Sequence, residues 1–388
     1  MPTYLSPGVY VEEVPPSARP IPGVGTSTAG FVGVVPDDVP MPLKPGRTGS
    51  GADDRYTVAK AGAPQLVTTW EEFRTRFGDF HSGNRILAHA VYGFFNNGGS
   101  ACWVQRAAKD DDLNDPATAL EAFEAIDDIA IVAMPGAVTA TQHDKLIAHC
   151  AKMKDRVAVL DGALPDALDV SKIRPVGRSA AGSYAALYYP WITVYDPVTN
   201  ALADLPPSGH VAGIYARTDA TRGVFKAPAN EAVIGALGVS RLLSPSHQDQ
   251  LNPEGINAIR SFNGTITVWG ARTLADQNAA EFRYLSTRRF FNFLRESVME
   301  GTSWVVFEPN SPGLWQRITR NVGDFLLGQW RAGALFGDTP AQAYYVRCDA
   351  TTNPADVREL GQVVTEVGVA IVKPAEFVIF RIEQLTGA

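Results

Sequence analysis

Residues 129–162, IAIVAMPGAVTATQHDKLIAHCAKMKDRVAVLDG, decide the fold. IAIVAMPG (129–136) is a short apolar run of the kind a strand buried on both faces shows. TATQHDKLIAHCAKMK (139–154) reads as a helix, and RVAVLDG (156–162) as a second buried strand. Strand, helix and strand in this order predict a parallel or mixed sheet covered by helices. AALYYPWITVYDP (185–197) reads as a further strand, and PPSGHVAGIYAR (206–217) as the opening of a helix.

Toward the N-terminus, Thr69 and Glu72 form a capping signature ahead of Trp70, Phe73 and Phe77. Leu87, Val91, Phe94 and Phe95 share one helical face, and Asn97-Gly98-Gly99 ends that helix. ACWVQRA (101–107) is a strand, and residues 36–64 read as an irregular surface loop. Ten of the 27 prolines lie in the first 45 residues, so that segment is extended. Within it GVYVEEV (8–14) has the alternation of a strand, with Val9 and Val11 on one face and Tyr10, Glu12 and Val14 on the other. Pro15, Pro16, Pro20 and Pro22 cut it off from the body, because proline cannot continue a central strand.

Toward the C-terminus, TITVWGAR (265–272) and SWVVFE (303–308) read as strands. Between them FRYLSTRRFFNFLRESVMEG (282–301) reads as a short strand running into a helix. SPGLWQRITRNVGDFLLGQWRAG (311–333) is amphipathic, with Trp315, Ile318, Val322, Phe325, Leu326 and Trp330 on one stripe. AYYVRCD (343–349) and QVVTEVGVAIV (362–372) are strand-like. Beyond Pro374, Val378, Phe380 and Ile382 alternate with Phe377, Ile379 and Arg381 in a second terminal strand. The expectation is a mixed α/β, two-domain subunit with a strand arm at each end. Its parts are an N-terminal arm (1–22), an outer α/β domain (23–250), a C-terminal domain (251–373) and a C-terminal arm (374–388).

Bulk composition narrows the function. The 388 residues are 45% hydrophobic and 19% charged, with a net charge of −7, which does not suggest a nucleic-acid binder. No apolar run approaches the 18 or so residues of a membrane span, and no secretory signal is expected at the N-terminus. Cys102, Cys150 and Cys348 are scattered and odd in number, so buried reduced thiols are expected rather than a disulfide framework or a zinc site.

Motifs for chemistry are weak. Asp161 at a strand end, His210 at a helix start and Ser27 in GTSTAG together suggest a subtilisin-like serine hydrolase. Against it, the nucleophile would sit beside a proline-rich arm rather than on a rigid scaffold. GVGTSTAG has Thr28 where a phosphate-binding loop needs its third glycine. The six histidines show no HxxxH or HExxH spacing, so neither metal nor cofactor is expected. STRRFF (286–291) and Arg317, Arg320 and Arg331 are the basic clusters with aromatic neighbours, and fit a protein-docking surface better than a nucleic-acid site.

Several long motifs, in order, carry a more specific signal. SPGVYVEEVP with GVGTSTAGFVG, VTTWEEFRTRFGDF and AVYGFFNNGGSACWV resemble the front of contractile phage-tail sheath proteins. NGTITVWGARTL, YLSTRRFFNFLRESVMEGTSWVVFEPN, LWQRITRNVGDFLLGQWRAGALFG and KPAEFVIFRI resemble that family's C-terminal domain. The resemblance spans nearly the whole chain and is weakest over 36–64 and 165–250.

This resemblance implies a structural subunit, not an enzyme, and the family's subtilisin-like middle domain without a working triad would explain Asp161 and His210. It implies a homo-oligomer of six-fold rings or a helix around an inner tube protein, with baseplate and terminal cap proteins as further partners. Neither nucleic acid nor membrane insertion is implied. The arm strands, carrying Val9, Tyr10, Val11, Glu12 and Val14 at one end and Phe377, Val378, Ile379, Phe380 and Ile382 at the other, would pair with neighbouring subunits. Pro15, Pro16, Pro20 and Pro22 would form the hinge. Arg288, Arg289, Arg317, Arg320 and Arg331 would meet acidic groups on the tube. The subunit would be made in a bacterial cytoplasm and end in a virion tail or a contractile injection particle. A non-contractile polymer, such as a surface layer or capsid-like protein, is the other structural reading.

Overall fold

A computed structural model describes residues 20–49 and 51–379. They divide into two compact units. The central unit holds residues 23–296 and 371–379, and the second holds 20–22 and 297–370.

The central unit is built on β1 (Ala29–Val34), β2 (Gln65–Val67), β3 (Cys102–Ala107), β4 (Ile131–Ala133), β5 (Val157–Asp161) and β6 (Ala185–Tyr189). It continues with β7 (Ile192–Asp196), β8 (Ala201–Leu205), β9 (Glu231–Ala232), β10 (Gly238–Val239), β11 (Ile256–Phe262) and β12 (Thr265–Val268). Nine of these form one sheet in the order β2-β3-β1-β4-β5-β6-β11-β12-β9, and β10-β7-β8 form a second. From β3 to β11 the neighbours are parallel, whereas β2, β12 and β9 join antiparallel.

Side-chain alternation divides the interior in two. Phe31, Val157, Val159, Ala186 and Tyr188 face one core, while Val32, Ala158, Leu160, Ala185 and Leu187 face the other. Burial on both faces is why these strands read as continuous apolar runs. Helix α1 (Trp70–Phe77), α2 (Arg85–Asn96), α3 (Ala140–Met153) and α4 (Ser208–Arg222) supply the covering layers. Leu87, Val91 and Phe94 of α2 and Val211 and Ile214 of α4 fill the first core. Leu146, Ile147 and Cys150 of α3 fill the second. All three cysteines are free and buried.

Several expectations are corrected. β1 lies inside the sheet yet was not expected as a strand, because two glycines interrupt AGFVGV. They are needed: a methyl group at Gly30 would stand 2.9 Å from the Phe123 ring, and one at Gly33 2.9 Å from Leu87. The single strand expected over 185–197 is two, β6 and β7, in different sheets, and Pro190 between them has no N–H to donate. The short strand expected near 282 is instead the end of a 3₁₀ segment, Gln277–Phe282, leading into α5 (Leu285–Gly301). SWVVFE is not a strand. Ser303–Val305 is a 3₁₀ turn closed by Val305 N–H to the Thr302 carbonyl at 2.9 Å, and Phe307 has φ of 68°. The boundary expected at 250/251 falls inside the central unit, because β11 pairs with β6 and carries β12 into the same sheet; the compact division comes after Glu296.

The second unit contains α6 (Pro312–Arg331), which buries Trp315, Ile318, Val322, Phe325 and Leu326 of the expected stripe and also Leu314, while Trp330 is only half-buried. Ser311 caps it, accepting from Leu314 N–H, and Pro312 occupies the first turn. Its only strands among the described residues are β13 (Tyr344–Arg347) and β14 (Glu366–Val369), paired antiparallel.

In the central unit, α2 and α4 approach closely through small residues. A methyl group at Gly213 would collide with the Phe94 carbonyl oxygen, and one at Gly209 with that of Ala90. Gly213→Ala should therefore destabilise the subunit by about 1–3 kcal/mol despite its better helix propensity. Chemical denaturation measures this, and an unchanged midpoint would contradict the packing described.

Candidate functional site

The site is the open sheet β13–β14. The register Tyr344↔Val369, Tyr345↔Gly368, Val346↔Val367 and Arg347↔Glu366 leaves one outer edge on each strand without a strand partner among the described residues. A two-stranded sheet of this length is marginal by itself. Asn353, buried, staples the connection between the strands: its Nδ2 donates to the carbonyls of Asp349 (3.1 Å) and Val364 (3.0 Å), and its Oδ1 accepts from Val364 N–H (2.6 Å). Tyr345 and Val367 remain exposed. An open groove of about 490 Å³ runs along β13, lined by Gln316, Thr319 and Arg320 of α6 and by Tyr345, Val346 and Arg347. Such an edge offers backbone N–H and C=O groups to an added strand.

The expected arm residues are only partly visible. Val9, Tyr10, Val11, Glu12, Val14, Pro15 and Pro16, and Phe380 and Ile382, lie outside the described residues. Pro20 and Pro22 are exposed and flank buried Ile21, whose side chain fills the space above Gly301. Phe377, Val378 and Ile379 are 70%, 69% and 80% exposed and outside any strand.

Two of the five arginines expected at a docking surface are not there. Arg288 is buried, donates to Ser183 Oγ at 2.9 Å and lies over the rings of Phe282 and Tyr184; burial pulls its guanidinium down to about 10. Arg289 is buried against Asp219, with which it makes two hydrogen bonds (2.8 and 2.6 Å), and it donates to the Thr26 carbonyl at 2.9 Å. Thr26 Oγ1 also donates to Asp219, so this pair fixes the chain just before β1. Arg317 pairs with Glu308 at 3.0 Å and is half-exposed. Arg320 and Arg331 are exposed.

Ser27, Asp161 and His210 do not form a triad. Asp161 accepts from Gly136 N–H, Ser208 N–H and Ser208 Oγ at 3.0, 2.9 and 2.7 Å, a strand-to-helix brace with no bond to His210. Burial pushes its carboxyl up to about 6. His210 is buried, its Nδ1 has no partner, and burial pulls it down to about 4. A base needs its nucleophile and orienter within hydrogen-bond reach, and neither Ser27 nor Asp161 bonds to it. Among the described residues no His, Cys, Asp and Glu cluster is arranged for a metal, and no helix is long and apolar enough to cross a membrane.

Residues 108–274 match the phage tail sheath protein central domain, and residues 277–384 the phage tail sheath C-terminal domain. The chain is 30% identical to a chain in the structure of the anti-feeding prophage baseplate, 6-fold symmetrised, covering 99% of this chain and 100% of that one with a TM-score of 0.75. It is 29% identical to a chain of the PVC sheath complex of an extracellular contractile injection system in the contracted state, covering 99% of each, also with a TM-score of 0.75. The tail sheath protein of Burkholderia phage BcepMu is 28% identical over 223 residues, 53% of this chain and 46% of that relative. The chain thus spans about half the length of this curated relative. It belongs to the contractile tail sheath family.

The buried histidines set the acid response of the subunit. Burial lowers His89, His143, His149 and His210, the last two to about 4. The unfolded chain therefore binds more protons between about pH 6.5 and 4, and stability falls as pH falls through that window. Raised Asp161 acts in the opposite sense, losing stability as pH rises from 3.8 to about 6, but it is one group against four. Denaturation midpoints between pH 4 and 7 should rise with pH; a flat or falling profile would show that these histidines are not buried in the neutral form.

Proposed function

We propose that this chain is the repeating subunit of a contractile sheath: it polymerises around an inner tube, and contraction drives that tube through a target envelope. The observation that carries this reading is the match along 99% of the chain to a sheath in its contracted state. The open β13–β14 edges and the exposed terminal residues Phe377–Ile379 support pairing of arm strands between copies. In that arrangement main-chain hydrogen bonds hold neighbouring copies and side-chain alternation fixes register. Six-fold rings or a helix of subunits, a tube protein, a baseplate and a terminal cap are the partners of this reading. The work of contraction then comes from surface buried between rings, with no catalytic step in the sheath subunit. It is made in a bacterial cytoplasm and acts within a tail or an injection particle.

Deleting residues 1–22 should leave a folded monomer that no longer assembles. Circular dichroism and electron microscopy check both halves, and normal hollow cylinders from the deleted chain would contradict strand exchange. Arg317, Arg320 and Arg331 remain the tube-contact candidates. Reversing the charge of Arg317 and Arg331, which do not line the β13 groove, should weaken tube retention and its salt dependence without affecting sheath self-assembly; unchanged retention in a co-purification assay removes them from the interface.

A further inference from the structure

In the C-terminal segment Glu376 is held while its neighbours Ala375 and Phe377 are exposed. Glu376 is mostly buried, whereas Phe377, Val378 and Ile379 directly after it are exposed. The Glu376 carboxylate receives four donors. Oε1 accepts from Arg272 Nε at 2.7 Å and Asn252 Nδ2 at 3.0 Å. Oε2 accepts from Arg272 Nη2 at 2.7 Å and the Tyr284 hydroxyl at 3.0 Å. A carboxylate has about four lone-pair sites, so this one is saturated.

The receptor is itself held. Arg272 donates through Nη1 to the Asn252 carbonyl at 2.9 Å. Its backbone N–H and C=O are both bonded by the side chain of buried Asn257 in β11, at 2.7 and 2.8 Å. Arg272 also bridges Tyr284 in an isolated antiparallel pair. A planar, two-pronged arginine fork on a pinned backbone is far more selective than a mobile surface ion pair.

The geometry points to Glu376 as the fixed anchor of the C-terminal arm: its Arg272–Asn252–Tyr284 receptor positions the chain so that the apolar run from Phe377 leaves the central unit at one defined place and meets a second copy in register. This rests on the reading of that run as an exchanged strand. Register matters because a slip of one residue would turn Phe377 and Ile379 to the face that Val378 should occupy. Burial alone would raise the Glu376 carboxyl, but the Arg272 and Asn252 bonds hold it below the ordinary glutamate value. Tyr284, raised by burial and by Glu376 against the opposing charges of Arg272 and Arg283, stays a donor. Protonating Glu376 would remove the charge that pairs with Arg272 and place a proton where the bonds are now all received.

The test compares wild type with Glu376→Gln, Glu376→Asp and a chain ending at Glu376. Hydrogen exchange is read on residues 371–379 of the monomer, and the critical concentration on self-assembly. Glu376→Gln should exchange faster at 375–376 with the sheet core unchanged, and assemble only at a concentration raised about tenfold; Glu376→Asp should fall between. As pH is lowered through the Glu376 titration, wild type should approach the Gln variant, whose own profile lacks that step. A Gln variant that assembles like wild type, while the truncated chain stays monomeric, overturns the anchor and leaves strand exchange standing. A truncated chain that assembles normally overturns strand exchange itself.

Discussion

An unpaired strand edge is the constraint on which the structure turns. β13 and β14 each present one edge with no strand beside it among the described residues, and the exposed Tyr345 and Val367 lie on the same small sheet. Left alone, such a sheet is barely stable and is open to indiscriminate pairing. The second unit supports it from below with α6 and from within with Asn353. What it withholds is the outer pairing, which the proposed strand exchange would supply.

The central unit is built the opposite way. Its parallel strands are enclosed on both faces, and their apolar residues divide between two cores. Ionic clamps hold two segments of this body: Arg289–Asp219 with Thr26 just before β1, and Arg272–Glu376 just before Phe377. Removing one partner of such a clamp leaves a desolvated charge, which costs more than the pair contributes when intact. The clamps therefore suit parts that must be positioned rather than parts that must merely be stable.

Much of this was legible in the sequence because it follows from periodicity. The alternation at 129–162, the α6 stripe and the strand character of 343–349 and 362–372 all survive in the structure, the last two in shortened form. What was not legible depended on tertiary pairing. AGFVGV is a strand because Phe123 and Leu87 need the space above Gly30 and Gly33. SWVVFE has β-branched residues but no partner strand, so it closes as a turn after α5. Arg288 and Arg289 look like surface charges in STRRFF, yet the turn of α5 on which they fall points them at Ser183 and Asp219, positions 105 and 70 residues away. No local pattern announces Asn353 or Arg272 either, since their partners lie across loops and the chain end.

Cryo-electron microscopy of the assembled polymer, at a resolution that traces individual strands, addresses the central claim most directly. Strand exchange requires β13–β14 to become a larger sheet whose added strands trace back to residues 8–14 and 377–382 of other copies. A polymer in which β13–β14 stays two-stranded, or in which the added strands belong to the same copy, would contradict it.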